Sequence, residues 1–310
     1  MSTEMKHGLL LIDKHPGCTS HDVVVQARKL LGTKKIGHCG TLDPSATGLL
    51  ILTVGRATRL TRFLIRAPKV YEGTIRFGLE TDTYDLSGEV VAEHPEAASR
   101  LDDDGLREAM ESFTGVYLQT PPPYCAKKVG GVKYYELARR GEETPKEKKE
   151  VQIHEFRALA PLAAGQDLPF LLSCSSGTYA RSLVHELGQK LGCGAALASL
   201  RRTRISSLYH LEQAVDLDTL RRRLEAGEDP GSAWIPFDDI PLPFAEIVAD
   251  PQQERRIEHG QTVLVRGIEG QEGDWVKLLD QRRHFIAVGA VVERIGTGDV
   301  GIVQPKVVFR

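Results

Sequence analysis

The sequence has no run of 18 apolar residues, and near its start the apolar stretch covers only Leu9–Ile12. A helix needs about 20 mostly apolar residues to cross a bilayer, and a secretory signal needs an apolar segment of roughly 7–15 residues. We therefore expect neither a membrane-spanning helix nor a secretory signal.

Cysteine is scarce: the five cysteines lie far apart in the sequence, and no Cys-x-x-Cys pair occurs. Neither a disulfide framework nor a zinc site follows from this pattern, which fits a reducing cytoplasm. The sequence also lacks a Walker loop, a dinucleotide-binding glycine fingerprint and a cluster of metal-ligating residues. No nucleotide cofactor or metal is therefore indicated.

An excess of charge of one sign is also missing, because the formal net charge is −2 over 310 residues. The distribution is nevertheless uneven: residues 1–70 carry eleven lysines and arginines against four acids, and residues 80–112 carry eleven acids against two arginines. A basic segment is most often only a solvated face. It also fits a surface that faces phosphates, and both interpretations stay open at this point.

The length of the chain predicts about two domains. The clearest predicted elements are strands over Gly8–Lys14 and Gly48–Gly55, a period-two strand from Tyr71, and helices over Tyr134–Arg140 and Tyr179–Leu191. Ala226–Asp239 is rich in glycine, proline and aspartate, which predicts a linker. About 70 residues of short β-type runs follow, so we expect a small appended β-barrel-like module.

The segment Gly37–Gly48, which reads GHCGTLDPSATG, carries the densest set of unusual residues. Its three glycines predict a tight loop between two apolar segments. Asp43 is the only acid between Asp22 and Glu72. Aspartate followed by proline is a good helix start, so capping is one interpretation of Asp43 and chemistry is the other.

A second segment, Ser173–Ser182, opens a predicted helix and places Arg181 in its first turn. The helix dipole disfavours a cation there by about 0.3–1 kcal/mol. Arg181 is therefore either solvated or held by a carboxylate from elsewhere in the chain. A buried pair with Asp43 would keep that carboxylate charged and fix its orientation. Periodicity alone does not show that the two residues are in contact.

The motif around Asp43 resembles the catalytic motif of the TruB family of tRNA pseudouridine synthases. Five further segments resemble that family in order and spacing: Asp13–Ser20, Lys69–Tyr71, Gly78–Gly88 (GLETDTYDLSG), Cys174–Arg181 and Ser199–Arg202. The last 70 residues resemble a PUA RNA-binding domain. Cys39, Ser45 and Ser176 depart from the family pattern, and Ser176 stands where a lysine that contacts phosphate is common.

The resemblance implies an α+β fold, with a mixed, mainly antiparallel catalytic sheet and flanking helices over 1–235 and a small β-rich PUA-like module over 241–310. It implies isomerisation of uridine 55, in the TΨC loop of tRNA, to pseudouridine. The target base has to be flipped into a pocket, which costs a few kcal/mol. Such an isomerisation needs no cofactor and no metal. We expect a cytoplasmic monomer that binds the T stem-loop of tRNA and needs neither a membrane nor an obligate protein partner.

Three residues resemble the catalytic group of the family. Asp43 corresponds to the catalytic carboxylate, which attacks C1′ or C6 of the nucleotide or assists glycosidic cleavage, and Arg181 corresponds to its partner. Tyr71 is expected to stack on the flipped base and to place its hydroxyl for proton transfer. Tyr71 would lie on the same face of the strand as Ile75 and Phe77, which also fits a position in the apolar core.

The resemblance also implies residues that bind the RNA. His38 corresponds to the residue that enters the RNA loop, although a lone loop histidine is more often a surface residue. The other expected contacts are the pocket walls Tyr179 and Leu200 and the phosphate contacts Lys14, Arg59 and Arg202.

Two other functions stay open. The first is a synthase subunit that depends on a guide RNA and protein partners, because that related group carries the same catalytic motif. The second is a non-catalytic RNA-binding or tRNA-folding protein. The presence of Asp43, Tyr71 and Arg181 together argues against it, because binding alone needs no acid facing phosphates.

Overall fold

The computed structural model describes residues 7–124, 147–163, 167–268, 270–296 and 299–309, together with the backbone of two short strands within 128–133. The helix predicted over Tyr134–Arg140 lies outside the described residues. In the described part of the chain, no helix is long and apolar enough to span a bilayer.

The structure consists of two main β-sheets with helices packed on the first. The strands are β1 (Gly8–Lys14), β2 (Ile36–His38), β3 (Thr47–Val54), β4 (Lys69–Phe77), β5 (Leu79–Thr81), β6 (Val90–Glu93), β7 (Gly115–Gln119), β8 (Lys128–Val129), β9 (Val132–Lys133), β10 (Lys149–Ala158), β11 (Leu168–Cys174), β12 (Ala195–Ile205), β13 (Tyr209–His210), β14 (Trp234–Pro236), β15 (Ala245–Val248), β16 (Val263–Val265), β17 (Trp275–Leu279), β18 (Phe285–Ile295) and β19 (Val300–Val308). The helices are α1 (Ser20–Leu30), α2 (Thr61–Leu64), α3 (Pro95–Ala98), α4 (Asp103–Glu111), α5 (Ala180–Leu191), α6 (Leu217–Glu225) and α7 (Pro251–Glu258).

The first sheet has the strand order β14-β1-β3-β12-β4-β11-β10-β7, with β2 beside β3 and β13 beside β12. Its strands pair antiparallel except β3 and β12, which run parallel where Thr47 faces Arg201 and Gly48 faces Arg202. The prediction of a mixed, mainly antiparallel sheet with flanking helices is confirmed. The loop that carries Asp43 joins β2 to β3, so it ends beside this central parallel pair.

Strand β1 is buried on both of its faces, which explains its unbroken apolar sequence. Side chains alternate between the two faces of a strand. Leu10 and Ile12 pack in one core with residues of α1 and α6, whereas Leu9 and Leu11 pack in another core on the opposite face. All four side chains are fully shielded from solvent.

The second sheet has the order β15-β17-β18-β19-β16, which confirms the β-rich C-terminal module. It is not a separate appendage, because its apolar residues share one core with the first sheet. Phe285 and Phe309 pack on Phe237, with ring centroids 5.2 Å and 4.8 Å away, and the same core includes Leu9 and Leu11 of β1. The two sheets therefore stabilise each other.

Replacing Phe285 by alanine is expected to destabilise both sheets together, by about 3–5 kcal/mol, because it opens a cavity in the shared core. The two tryptophans allow a direct test, since Trp234 lies in β14 and Trp275 in β17. In variants that keep only one tryptophan each, Phe285→Ala should lower both urea midpoints by similar amounts. The control Leu264→Ala, at an exposed position, should leave both unchanged. A fall in only one of the two midpoints would contradict the shared core.

Candidate active site

The start of helix α5 is held in place from outside the helix. Tyr179 precedes the helix, and its N–H donates to the side-chain oxygen of Gln119 at 2.8 Å while its carbonyl accepts from the Gln119 amide at 3.0 Å. Apolar residues along α5, including Leu183 and Leu187, are fully buried against the first sheet. Arg181, in the first turn as predicted, is therefore fixed in position.

Arg181 is buried and makes contacts with three separate segments. Its Nε donates to Oδ2 of Asp43 at 2.9 Å, its Nη1 donates to the carbonyl of Thr83 at 3.0 Å, and its Nη2 donates to the carbonyl of Tyr124 at 3.0 Å. The side chain of Arg181 is 7% exposed and that of Asp43 is 39% exposed. Of the two interpretations of Arg181, the structure supports the pair with a distant carboxylate.

The loop that carries Asp43 is fixed by side chains that bond to its backbone. Lys14 donates through Nζ to the carbonyl of Ala46 at 2.7 Å, and the hydroxyl of Ser20 bonds to both backbone groups of Leu42. At Gly48 the chain adopts φ +98°, and a Cβ there would lie 2.3 Å from the carbonyl oxygen of Arg202. Only glycine fits at this position, so the backbone conformation at the junction of the loop and β3 is fixed.

Lys14 and Arg202 are buried, whereas the sequence analysis predicted them at the RNA-facing surface. Both were expected to contact RNA phosphates, but each is only 1% exposed. Arg202 donates to the carbonyls of Leu49 at 2.7 Å and Gly40 at 3.0 Å, and burial lowers the pKa of Lys14. Because their donors bond to main-chain carbonyls inside the protein, these two residues position the loop around Asp43. Contact of either residue with RNA stays a prediction.

Asp85 is a functional candidate that the sequence analysis missed. Its Oδ2 lies 3.6 Å from Nε of Arg181, and its side chain is 9% exposed. Its Oδ1 accepts from the hydroxyl of Thr83 at 2.9 Å and from the N–H of Ser87 at 3.0 Å, which fixes its orientation. The motif GLETDTYDLSG contains several acids, and spacing alone does not tell which of them turns inward.

Six of the predicted residues line one cavity of about 690 Å³. They are Asp43, Tyr71, Tyr179, Arg181, Leu200 and Arg202. Tyr71 also packs against the adjoining apolar core, so it lies in the core and in the cavity wall at once. Burial raises the pKa of its hydroxyl, and a neighbouring arginine acts in the opposite direction. Among the described residues, no three His, Cys, Asp or Glu side chains are placed to hold a metal ion.

His38 and Arg59 are not among the residues that line this cavity. His38 is the last residue of β2 and half-buried, and burial lowers the pKa of its imidazole. Arg59 is exposed, but its guanidinium lies 5.5 Å from the centre of the Phe309 ring and donates to the carbonyl of Val308. Arg59 therefore contacts the second sheet, and RNA contacts by either residue stay a prediction.

Lys149 lines the cavity although nothing in the sequence pattern indicates it. Its amino group lies so close to Gly177 that a Cβ added there would be 2.1 Å from Nζ. Gly177 follows Ser176, the position at which the TruB pattern commonly has a lysine. Lys149, at the start of β10, thus supplies a positive charge next to the position where Ser176 lacks one.

Lys69 forms another part of the cavity wall and is only 4% exposed. Its Nζ donates to the carbonyls of Ile65 at 2.5 Å and Ala67 at 2.6 Å. Burial, together with the positive charge of Arg202, lowers the pKa of Lys69 to about 8. These hydrogen bonds stabilise the turn between α2 and β4, which forms part of the cavity wall.

Three family models match consecutive parts of the chain. The model of the TruB family pseudouridylate synthase N-terminal domain matches residues 28–180, that of the tRNA pseudouridylate synthase B C-terminal domain matches 181–240, and that of the pseudouridine synthase II TruB C-terminal region matches 245–308. The chain belongs to the TruB family of pseudouridine synthases. The motifs of the sequence analysis therefore indicated the correct family.

Curated TruB relatives are similar over nearly the whole chain. The tRNA pseudouridine synthase B of Solibacter usitatus is 40% identical over 92% of this chain and 96% of its own length. That of Aquifex aeolicus is 38% identical over 96% of this chain and 98% of its own length.

Solved structures show the same fold. A chain of a Cbf5-Nop10-Gar1 complex matches with a TM-score of 0.75 and 24% identity, over 98% of this chain and 85% of that one. A chain of an H/ACA RNP bound to a substrate RNA matches with a TM-score of 0.75 and 23% identity, over 99% of this chain and 86% of that one.

The pKa of Lys69 predicts a pH dependence of stability. An unfolded lysine keeps its proton up to pH about 10.4, whereas folded Lys69 loses it near pH 8. Between these values the unfolded state binds more protons, so the free energy of unfolding should rise with pH. The expected gain from Lys69 is about 1.5 kcal/mol between pH 8 and pH 9.5.

Urea unfolding of this TruB protein and of Lys69→Met at several pH values measures that gain. The variant should lack it, while Lys29→Met, at an exposed position of α1, should keep it. The same slope in the parent protein and in Lys69→Met would show that Lys69 titrates normally.

Proposed function

We propose that this chain alone converts uridine 55, in the TΨC loop of tRNA, to pseudouridine, with Asp43 as the catalytic carboxylate. The observation that carries the proposal is the contact of Asp43 with the fixed, buried Arg181 in the wall of a cavity of nucleotide size. The curated relatives support the substrate, because proteins named tRNA pseudouridine synthase B are 38–41% identical over 87–96% of this chain.

The reaction is an isomerisation. The C1′–N1 bond of the uridine breaks, a C1′–C5 bond forms, C5 loses a proton and N1 gains one. Atoms and electrons therefore balance without a redox partner. In the proposal Asp43 acts as a nucleophile on C1′ or C6, or assists cleavage of the glycosidic bond, while Arg181 holds its carboxylate in one orientation.

The base reaches Asp43 by leaving the RNA stack. We propose that it is held in the cavity between Tyr71, which stacks on it, and the walls formed by Tyr179 and Leu200. His38 enters the RNA loop in its place, and Arg59 and Lys149 attract the phosphates. Residues 241–310 form the RNA-binding domain that we propose beside the catalytic domain of residues 1–235.

Incubation of an unmodified tRNA transcript with the purified chain, followed by mapping of pseudouridine, tests the proposal. The expected result is one pseudouridine at position 55 with no other RNA or protein added. Conversion only after addition of a guide RNA and partner proteins would favour the guide-dependent subunit. Tight binding without any conversion would favour a non-catalytic RNA-binding protein.

Asp43→Asn should abolish turnover and leave tRNA affinity within a few fold. The amide keeps the size of the side chain but is neither a nucleophile nor a base. Single-turnover conversion and equilibrium binding measure the two effects. Asp218→Asn, at a side chain that is 77% exposed on α6, is the control and should behave as the parent protein. If an Asp43→Asn preparation free of deamidated protein still formed pseudouridine, Asp43 would not be the catalytic carboxylate.

Tyr71→Phe should keep the affinity for tRNA and slow turnover by about 100-fold. The ring face, which stacks on the base, remains, whereas the hydroxyl that moves a proton is lost. Single-turnover rates at saturating enzyme provide the measurement, and thermal unfolding checks that the fold is retained. An unchanged rate would show that the hydroxyl of Tyr71 has no role in the reaction and that the residue is purely structural.

A further inference from the structure

A second cavity, of about 750 Å³, lies where the two sheets meet and is separate from the one that contains Asp43. Its walls come from α2 and the turn after it, from the β12–β13 turn, from the segment before β15 and from the start of β17. The side chains that matter below are Arg62, Phe63, Arg66, Ser207, Phe244 and Trp275.

Aromatic rings form part of the walls of this cavity. Phe63 makes edge-to-face contacts with Phe244 and Trp275, with ring centroids 5.6 Å and 4.9 Å away. The guanidinium of Arg62 lies 4.8 Å from the centre of the Phe63 ring, and Arg66 is a second exposed arginine in the wall. None of the described lining residues is acidic. Aromatic rings with arginines beside them are the combination that binds unpaired nucleotides, through base stacking and phosphate contacts.

The cavity is formed before any ligand binds. At its base the hydroxyl of Tyr209 donates to the carbonyl of Pro241 at 2.5 Å, which ties β13 to the segment before β15. The wall over residues 65–68 is held by Lys69, which donates to two of its carbonyls, and by the N–H of Ser206, which donates to the carbonyl of Pro68 at 2.8 Å. Binding there would order little further chain, which favours affinity.

The second cavity adjoins the active-site cavity. Arg66 lines both cavities, and residues 65–68 form the wall between them. An RNA strand that leaves the active-site cavity past Arg66 therefore meets the second cavity next. This shared wall indicates the RNA as the source of the ligand, in preference to an unrelated small molecule.

We propose that this cavity binds one unpaired nucleotide of the same RNA whose target uridine occupies the active-site cavity. The base contacts Phe244 and Trp275, and its phosphates contact Arg62 and Arg66. The inference rests on the proposed function, since it needs an RNA bound beside Asp43. It assigns the cavity a part in recognising the unpaired loop around the target.

The fluorescence of Trp275 tests the inference without measuring activity. The chain has two tryptophans, so Trp234→Phe leaves Trp275 as the only one. Titration with an unmodified T stem-loop should quench its emission to saturation, and an abasic substitution at one loop position other than the target should remove most of the quenching. Adenosine monophosphate alone should not quench at the RNA concentrations used.

Filling the cavity provides a second test. Ser207→Phe should weaken stem-loop binding about tenfold, which is typical for loss of one stacked base. Ser99→Phe places the same side chain at an exposed position after α3 and should not change binding. Pseudouridine formation by the parent protein is measured in the same samples.

Three results would overturn the inference. Conversion of the RNA without quenching of Trp275 and without an effect of Ser207→Phe would show that the cavity stays empty, and would leave the proposed function intact. Quenching by adenosine monophosphate alone would assign the cavity to a free nucleotide. Absence of binding and conversion by the parent protein would overturn the proposed function and this inference together.

Discussion

The contact between Arg181 and Asp43 is the constraint on which the rest of the site depends. A buried guanidinium is costly unless its donors find acceptors, and here they bond to a carboxylate and to two main-chain carbonyls. These acceptors come from the loop before β3, from the Gly78–Gly88 segment and from the segment after β7. One side chain thus fixes three connections between strands that are far apart in the sequence. Asp43 can therefore be half-exposed to the cavity and still have a defined orientation.

Buried cations surround this pair. Lys14, Lys69 and Arg202 are each at most 4% exposed and donate to carbonyls of the loops that they support. The basic character of residues 1–70 therefore has two origins. Some of its charges lie inside the protein and hold the loops of the site. Others, including Arg62 and Arg66, are exposed at the cavity walls, where a phosphate backbone can reach them.

The sequence predicted the elements and the family well because both depend on local patterns. Strand β1 and helix α5 follow from apolar periodicity and glycine positions, and Asp43 was identified from its motif. The contact of Asp43 with Arg181 spans 138 residues and was only one of two interpretations, because periodicity gives no distances. Asp85 was missed because several acids share its segment.

Other features depended on contacts that no local pattern contains. The resemblance implied phosphate contacts for Lys14 and Arg202, and their bonds to main-chain carbonyls leave no trace in residue types. Lys149 is placed by the pairing of β10 with β7, in which it faces Gln119. The core shared by the two sheets could not be predicted, because the sequence of β1 does not show which residues cover its second face.

Arg181→Lys tests the central role of the Arg181–Asp43 contact most directly. Lysine keeps the positive charge, but a single ammonium group cannot bond to three separated acceptors as a guanidinium does. The single-turnover rate of pseudouridine formation should fall by about 100-fold, since small displacements of a reacting group have effects of this size. The matched control Arg76→Lys changes the ion pair of Arg76 in β4 with Asp167 before β11, which does not line the cavity, and should keep the parent rate. An Arg181→Lys variant that folds and turns over as fast as this control would show that charge alone suffices and that the orientation of Asp43 does not depend on Arg181.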